Sequence, residues 1–177
     1  MSQLNEFALQ ADYNRLMNQR QYEACANLSA AQLKQDQGAF FKSILGTLNH
    51  ILVGDIIWLK RFGAHPSSQK ALAYVNQLAK PASLDSCLFA DLSKLHKERK
   101  KIDAVIIDWI GNLDEEAMRE CISYTNMAGE RFSKPLPCLI THLFLHQVHH
   151  RGQVTTLLSQ CGVDFGETDL IELIAEC

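Results

Sequence analysis

An all-α, antiparallel four-helix bundle with a short hairpin before the last long helix is the fold this sequence predicts. Three observations predict it. Apolar residues recur at helical spacing through four long stretches. Gly63, Pro66, Gly111, Pro135 and Gly162 punctuate the gaps between or after them. One short stretch ahead of the last helix carries Ile122, Tyr124 and Phe132 around a turn-like centre, Asn126 to Gly129.

The first helix is expected over Leu4 to Leu28, which contains neither Pro nor Gly. A polar connection, Ser29 to Gly38, separates it from a second helix over about Ala39 to Phe62. The stretch to Pro81 is less regular, and any helix over Asn76 to Lys80 must end before that proline, whose ring disfavours helical backbone just ahead of it. A third helix is expected over Ser83 to Ile110 and closed by Gly111. The hairpin then falls within Met118 to Lys134. Pro135 and Pro137 open the fourth helix, from about Leu136 to Gln160, and Asp169 to Glu176 predict a short last helix. Short and moderate connections between long helices favour antiparallel neighbours. At 177 residues the chain reads as one domain, 1–177, able to bury roughly two thirds of its unfolded surface.

Composition excludes several classes of function. The net charge is −3 and basic residues are scattered, apart from Lys97, Arg99, Lys100 and Lys101. With no basic stripe to neutralise phosphates, nucleic acid is not an expected partner. No apolar run approaches the ~20 residues of a membrane span, and the first residues lack a basic segment followed by an apolar one. A cytoplasmic protein without a membrane partner is therefore expected. The six cysteines show no clustered spacing, so they are read as reduced thiols, mostly buried, with Cys177 the most exposed.

Chemistry concentrates in the histidines. Four of the seven lie between Thr141 and Gln153. Spacing of four puts His142, His146 and His150 on successive turns of one face, where two imidazoles can reach one ion. His149 also stands within three residues of His146, so spacing alone leaves the pair open. A helical wheel with His142 at zero centres the apolar stripe of the fourth helix at about 110°. His150 then falls near about 80° and His146 near about 40°, facing the core, while His142 and His149 sit at its edge or outside.

The second helix offers His50, with Gly46 and Gly54 one turn before and after it. Phe40, Ile44, Leu48, Ile51, Leu59 and Phe62 set that helix's core face, and His50 lies off its centre. Glycine on both sides predicts a groove beside the imidazole, suited to a ligand or an open coordination position. The competing reading is a set of hydrogen-bonded histidines without a metal. Asp55 falls among apolar positions, where an ionised carboxylate needs a partner. A structural salt bridge is the favoured role, and an acceptor that fixes a histidine tautomer is the functional one. The chain contains no HExxH string, so a metalloprotease signature is absent.

These residues resemble the DinB family, helical bundles of damage-inducible type related to some bacterial low-molecular-weight thiol transferases. The resemblance covers most of the chain. It runs through Tyr13-Asn14-Arg15 with Asn18, Leu48-Asn49-His50-Ile51-Leu52 with Asp55 and Trp58-Leu59, and Tyr124 to Gly129. It continues through Leu145-His146 with His149-His150-Arg151-Gly152-Gln153, and Gly166 to Leu173. It implies a four-helix bundle, a homodimer, and a metal site made by His50, His146 and His150. The family usually carries Asn where this chain has Leu145, so a supporting amide at that position is missing.

Three neutral imidazoles leave a coordination position open, as in catalytic rather than structural zinc sites. Imidazole suits zinc and nickel, and also copper and iron. Two functional readings follow. One is a metal-dependent thiol transferase, or a related transferase or hydrolase, that takes a small thiol or electrophile as ligand. Its acid or base would come from His149, His142, Tyr13 or Asp55. The alternative is a non-catalytic metal-containing stress-response or binding protein that acts as a homodimer. For that dimer the fourth helix offers a second stripe, Phe144, Leu145 and Val148 beside Thr141, Gly152, Thr155 and Ser159.

Overall fold

The computed structural model describes residues 2–176. Its elements are α1 (Gln3–Cys25), α2 (Ala30–Lys34), α3 (Ile44–Gly63), α4 (Ala73–Gln77), α5 (Leu92–Gly111), β1 (Cys121–Thr125), β2 (Arg131–Pro135) and α6 (Leu136–Gln160). Short 3-10 turns occupy Ala117–Arg119 and Leu170–Leu173. The chain is mostly helical with one two-stranded antiparallel hairpin, as the sequence predicts. None of the described helices is long and apolar enough to cross a membrane.

Helix ends follow side-chain capping, which satisfies backbone N–H groups that have no partner within the helix. Ser2 Oγ accepts from the Asn5 amide, Ser43 Oγ from Gly46, and the Asp91 carboxylate from Lys94. These caps correct three expected boundaries. The polar connection holds its own short helix, α2, started by a reciprocal Ser29–Gln32 capping box. Helix α3 begins at Ile44 rather than Ala39, because Lys42 takes φ 67° and Ser43 caps the turn that follows. Phe40, expected on the core face, is instead 85% exposed. Helix α5 begins at Leu92 rather than Ser83, leaving the 83–91 segment as an irregular connection. The tail forms only the 3-10 turn, not a helix over Asp169 to Glu176.

Helix α1 packs on α5 and α6, and α3 packs on α6 and α5. Between them lies one hydrophobic core that includes Leu48, Leu52, Leu59, Phe62, Ile102, Trp109, Ile140 and Leu158. The hairpin pairs Tyr124 with Phe132 and sits against α3, where Tyr124 meets Trp58 edge to face at 5.2 Å. Its turn is held by Asn126 Oδ1, which accepts from the amides of Ala128 and Glu130, each at 2.9 Å.

Polar side chains cross the interior in one network. The buried Arg99 guanidinium donates to Asp55 and forms an ion pair with Asp103 at 2.9 Å. Gln147 of α6 also donates to Asp55, and Asn18 of α1 donates to Asp103 at 2.9 Å. Arg151 of α6 donates to Asn14 of α1 at 3.1 Å. Two carboxylates and two guanidiniums thus lie inside together, and the hydrogen bonds fix how four helices meet. Of the described cysteines, only Cys25 is buried; Cys87, Cys121 and Cys138 are exposed and Cys161 is half-buried, which corrects the expectation of mostly buried thiols. Each described cysteine is free, and Cys177 lies outside the described residues.

Candidate metal centre

Helix α3 contributes His50 from its middle, and α6 contributes His146 and His150 one turn apart. His50 Nε2 stands 3.1 Å from His146 Nε2 and 3.1 Å from His150 Nε2. Two nitrogens bound to one tetrahedral ion at ~2.0–2.1 Å would stand roughly 3.3 Å apart, so the spacing fits a shared ion. His50 and His150 are buried and His146 half-buried, while His142 and His149 are exposed. The wheel's separation of the two sets therefore matches the burial.

The outer ring nitrogens decide what the inner ones can do. His50 Nδ1 lies 2.8 Å from the Leu84 carbonyl, which can only accept, so the proton sits on Nδ1. His150 Nδ1 lies 2.8 Å from Gln153 Oε1 and donates in the same way. A neutral imidazole has one N–H, so Nε2 of both rings presents a bare lone pair. These two lone pairs face each other at 3.1 Å with no proton of their own between them. A cation between them removes that repulsion. The third ring leaves its outer nitrogen, His146 Nδ1, buried without a partner.

Burial keeps all three rings uncharged. Desolvation is the main cause that lowers the His50 and His150 pKa values, although the hydrogen bonds to Leu84 and Gln153 oppose it. His146 is pushed down to about 3 by burial and by the neighbouring rings. Neutral imidazole is the form that binds a metal.

The two glycines act differently from the expected groove beside His50. A Cβ on Gly54 would stand 2.6 Å from Cε1 of His146, so this glycine makes room for the second ligand candidate. A Cβ on Gly46 would meet the Phe41 carbonyl oxygen at 2.2 Å. Gly46 thus admits the preceding loop, whose Phe41 ring stacks on His50 at 3.7 Å between centroids.

Asp55 makes its hydrogen bonds to Arg99 and Gln147 and none to the histidines. It takes the salt-bridge role, and burial pushes its carboxyl up to about 6 against the opposing pull of Arg99. Tyr13 is also removed from the site, since its hydroxyl donates to the Thr168 carbonyl and pins the tail to α1. His149 is coupled indirectly: its Nε2 accepts from Gln153 Nε2 at 3.3 Å, and Gln153 Oε1 takes the His150 proton. His142 packs edge-on against Trp58 at 4.9 Å.

The cluster opens into a cavity of about 690 Å³ bounded by Phe41, Trp58, Arg61, Leu84, Met127 and the histidines. Beyond the three clustered rings, its titratable lining groups are His142, His149 and Arg61. Sequence reasoning missed Leu84, Phe41, Gln153 and Arg61. Gln153, three residues after His150, was legible as a neighbour on the helix face. The Leu84 carbonyl was not, because it arrives from a segment expected to be helical.

The chain is similar to known proteins over nearly its whole length. The DinB family model matches residues 1–175. Protein DinB of Bacillus subtilis (strain 168) is 25% identical over 175 residues, covering 94% of this chain and 92% of the relative.

Proposed function

The chain belongs to the DinB family, and from that premise we propose that it binds one divalent metal ion, zinc or nickel, through His50, His146 and His150. The supporting observation is the pair of unprotonated Nε2 atoms held face to face at 3.1 Å. Two fixed Nδ1–H donors, to Leu84 and to Gln153, orient those atoms inward, as outer hydrogen bonds do for metal-bound histidines. In this reading residues 1–177 form a single domain, an antiparallel four-helix bundle, with α3 and α6 carrying the ligands.

The reaction class proposed is transfer of a small thiol to an electrophile. When bound, the ion would supply Lewis acidity that favours thiolate over thiol near neutral pH. The chain's own residues would do the rest. Phe41 and Trp58 wall the cavity, and His142 and His149 are the lining groups able to take or return a proton. With Asp55 engaged by Arg99 and Gln147, no carboxylate among the described residues lines the cavity to serve as base.

Elemental analysis tests the metal reading. Protein purified without chelator should carry close to one divalent ion per chain, and His50→Ala should lose most of it. Equal metal in the two proteins would remove His50 from the ligand set.

We also propose a homodimer formed through α6. Leu145 and Val148 are 62% and 47% exposed there, next to exposed Thr141 and Gly152, which allow close approach. Phe144 is buried within its own chain and leaves the expected stripe. Light scattering at micromolar concentration should give twice the chain mass, and Leu145→Glu should halve it. A monomer mass for the unaltered protein would end this reading.

A further inference from the structure

The cavity above the histidines has one fixed positive charge on its wall, Arg61, in the last turn of α3. Its guanidinium carbon lies 4.3 Å from the Trp58 ring centroid and 4.7 Å from that of Tyr124, so two aromatic faces hold the planar group in place. Arg61 Nη2 donates to the Thr125 carbonyl at 3.4 Å, which ties the hairpin to the helix. Among the described residues, no ion pair includes Arg61. The cavity lining contains neither Asp nor Glu.

A smaller hollow of about 370 Å³ continues past Arg61, sharing Ile57, Arg61 and Met127 with the main cavity. It adds Lys60 and Lys80 and again contains no acidic residue. The two cavities therefore adjoin at Arg61, with the histidine cluster and Trp58 lining one and Lys60 and Lys80 lining the other. Burial opposes the Arg61 charge, so the group gains from an anion that would neutralise it.

We propose that Arg61 binds the carboxylate of a small anionic ligand whose other end lies at the three histidines. This rests on the metal reading above and narrows its ligand to thiols that also carry an acidic group. A planar guanidinium suits a carboxylate because two parallel N–H groups meet two oxygens. The apolar stem of the ligand would cross Trp58, and an uncharged thiol of equal length would lack the distal contact.

Cobalt-loaded protein provides the test, because a thiolate bound to cobalt gives a charge-transfer absorption. Mercaptoalkanoates of three to six carbons would be titrated beside the corresponding mercaptoalkanols. An acid of suitable length should bind about 10-fold tighter than its alcohol, the gain expected for a charge-assisted hydrogen bond. Arg61→Gln should abolish that preference while the alcohols bind as before, and Arg61→Lys should restore part of it. Thermal unfolding of each variant checks that the Trp58–Arg61–Tyr124 stack is not needed merely for folding.

A second measurement stands apart from the metal. In metal-free protein, hexanoate should change the emission of Trp58, hexanol should not, and the change should vanish in Arg61→Gln. Equal binding of acid and alcohol to cobalt-loaded wild type would overturn the proposal, as would a preference that survives in Arg61→Gln. Failure to load cobalt with a normal hexanoate response would instead overturn the metal reading and support the role of Arg61.

Discussion

Replacing His150 with alanine is expected to lower metal affinity by more than about 100-fold, whereas His149→Ala should cost no more than the ~10–100-fold typical of a group that acts through another ligand. The two residues are adjacent, so their side chains leave α6 about 100° apart and cannot both serve an ion also held by His146. His150 turns its Nε2 to within 3.1 Å of His50 Nε2. His149 packs edge-on against His150 at 4.7 Å between centroids, and its one hydrogen bond toward the cluster runs through Gln153, whose amide nitrogen it accepts from while the oxygen of that amide holds His150. Gln153→Ala should therefore fall between them, because it frees the His150 ring to turn without removing a nitrogen. Alanine is a good helix former, so helix propensity cannot explain a difference between the two histidine variants. Competition against a chelator measures each affinity. Greater damage from His149→Ala would require a ligand set rebuilt around His149.

Much of this site could be read from the sequence because it obeys local periodicity. The fourth helix was bounded by Pro135, Pro137 and Gly162, and its observed limits are Leu136 and Gln160. Within it, the i, i+4 spacing and the apolar wheel separate His146 and His150 from His142 and His149, in agreement with their burial. What remained hidden depends on chain reversals that carry no strong signal. The left-handed backbone at Lys42 moves Phe40 out to solvent and brings Phe41 over His50. Within residues 39–43 only Ser43, which caps α3, marks that turn, and it is masked by the helical spacing that Phe40 and Ile44 continue. Apolar residues between Ser83 and Leu92 likewise imitate a helix, although Asp91 was available as a cap. Starting α5 at that cap frees the 83–91 segment to deliver the Leu84 carbonyl to His50. The sequence places Gly54 beside His50, whereas it faces His146, because only the packing of α3 on α6 decides which ring it meets.

Removing the Asp55 carboxylate should produce the largest loss of stability of any single change near the centre, about 3–5 kcal/mol for Asp55→Ala. That is a substantial part of the roughly 5–15 kcal/mol by which a domain is stable. Asp55 is fully buried and accepts from both Arg99 and Gln147, which come from α5 and α6. Its loss strands the Arg99 charge with Asp103 alone and leaves the Gln147 amide without its acceptor. Urea unfolding of metal-free protein isolates this effect, because a bound ion would stabilise the folded state by itself. The double variant Asp55→Leu with Arg99→Met should recover most of the loss, since replacing both members of a buried pair with apolar groups avoids the stranded charge. Metal binding gives the separating measurement. Asp55 is hydrogen-bonded to none of the three rings and reaches α6 through Gln147, the residue after His146. A folded Asp55→Ala should therefore still take up one ion per chain. If it lost the ion as completely as His50→Ala while keeping its unfolding midpoint, Asp55 would have to be moved from the scaffold to the site.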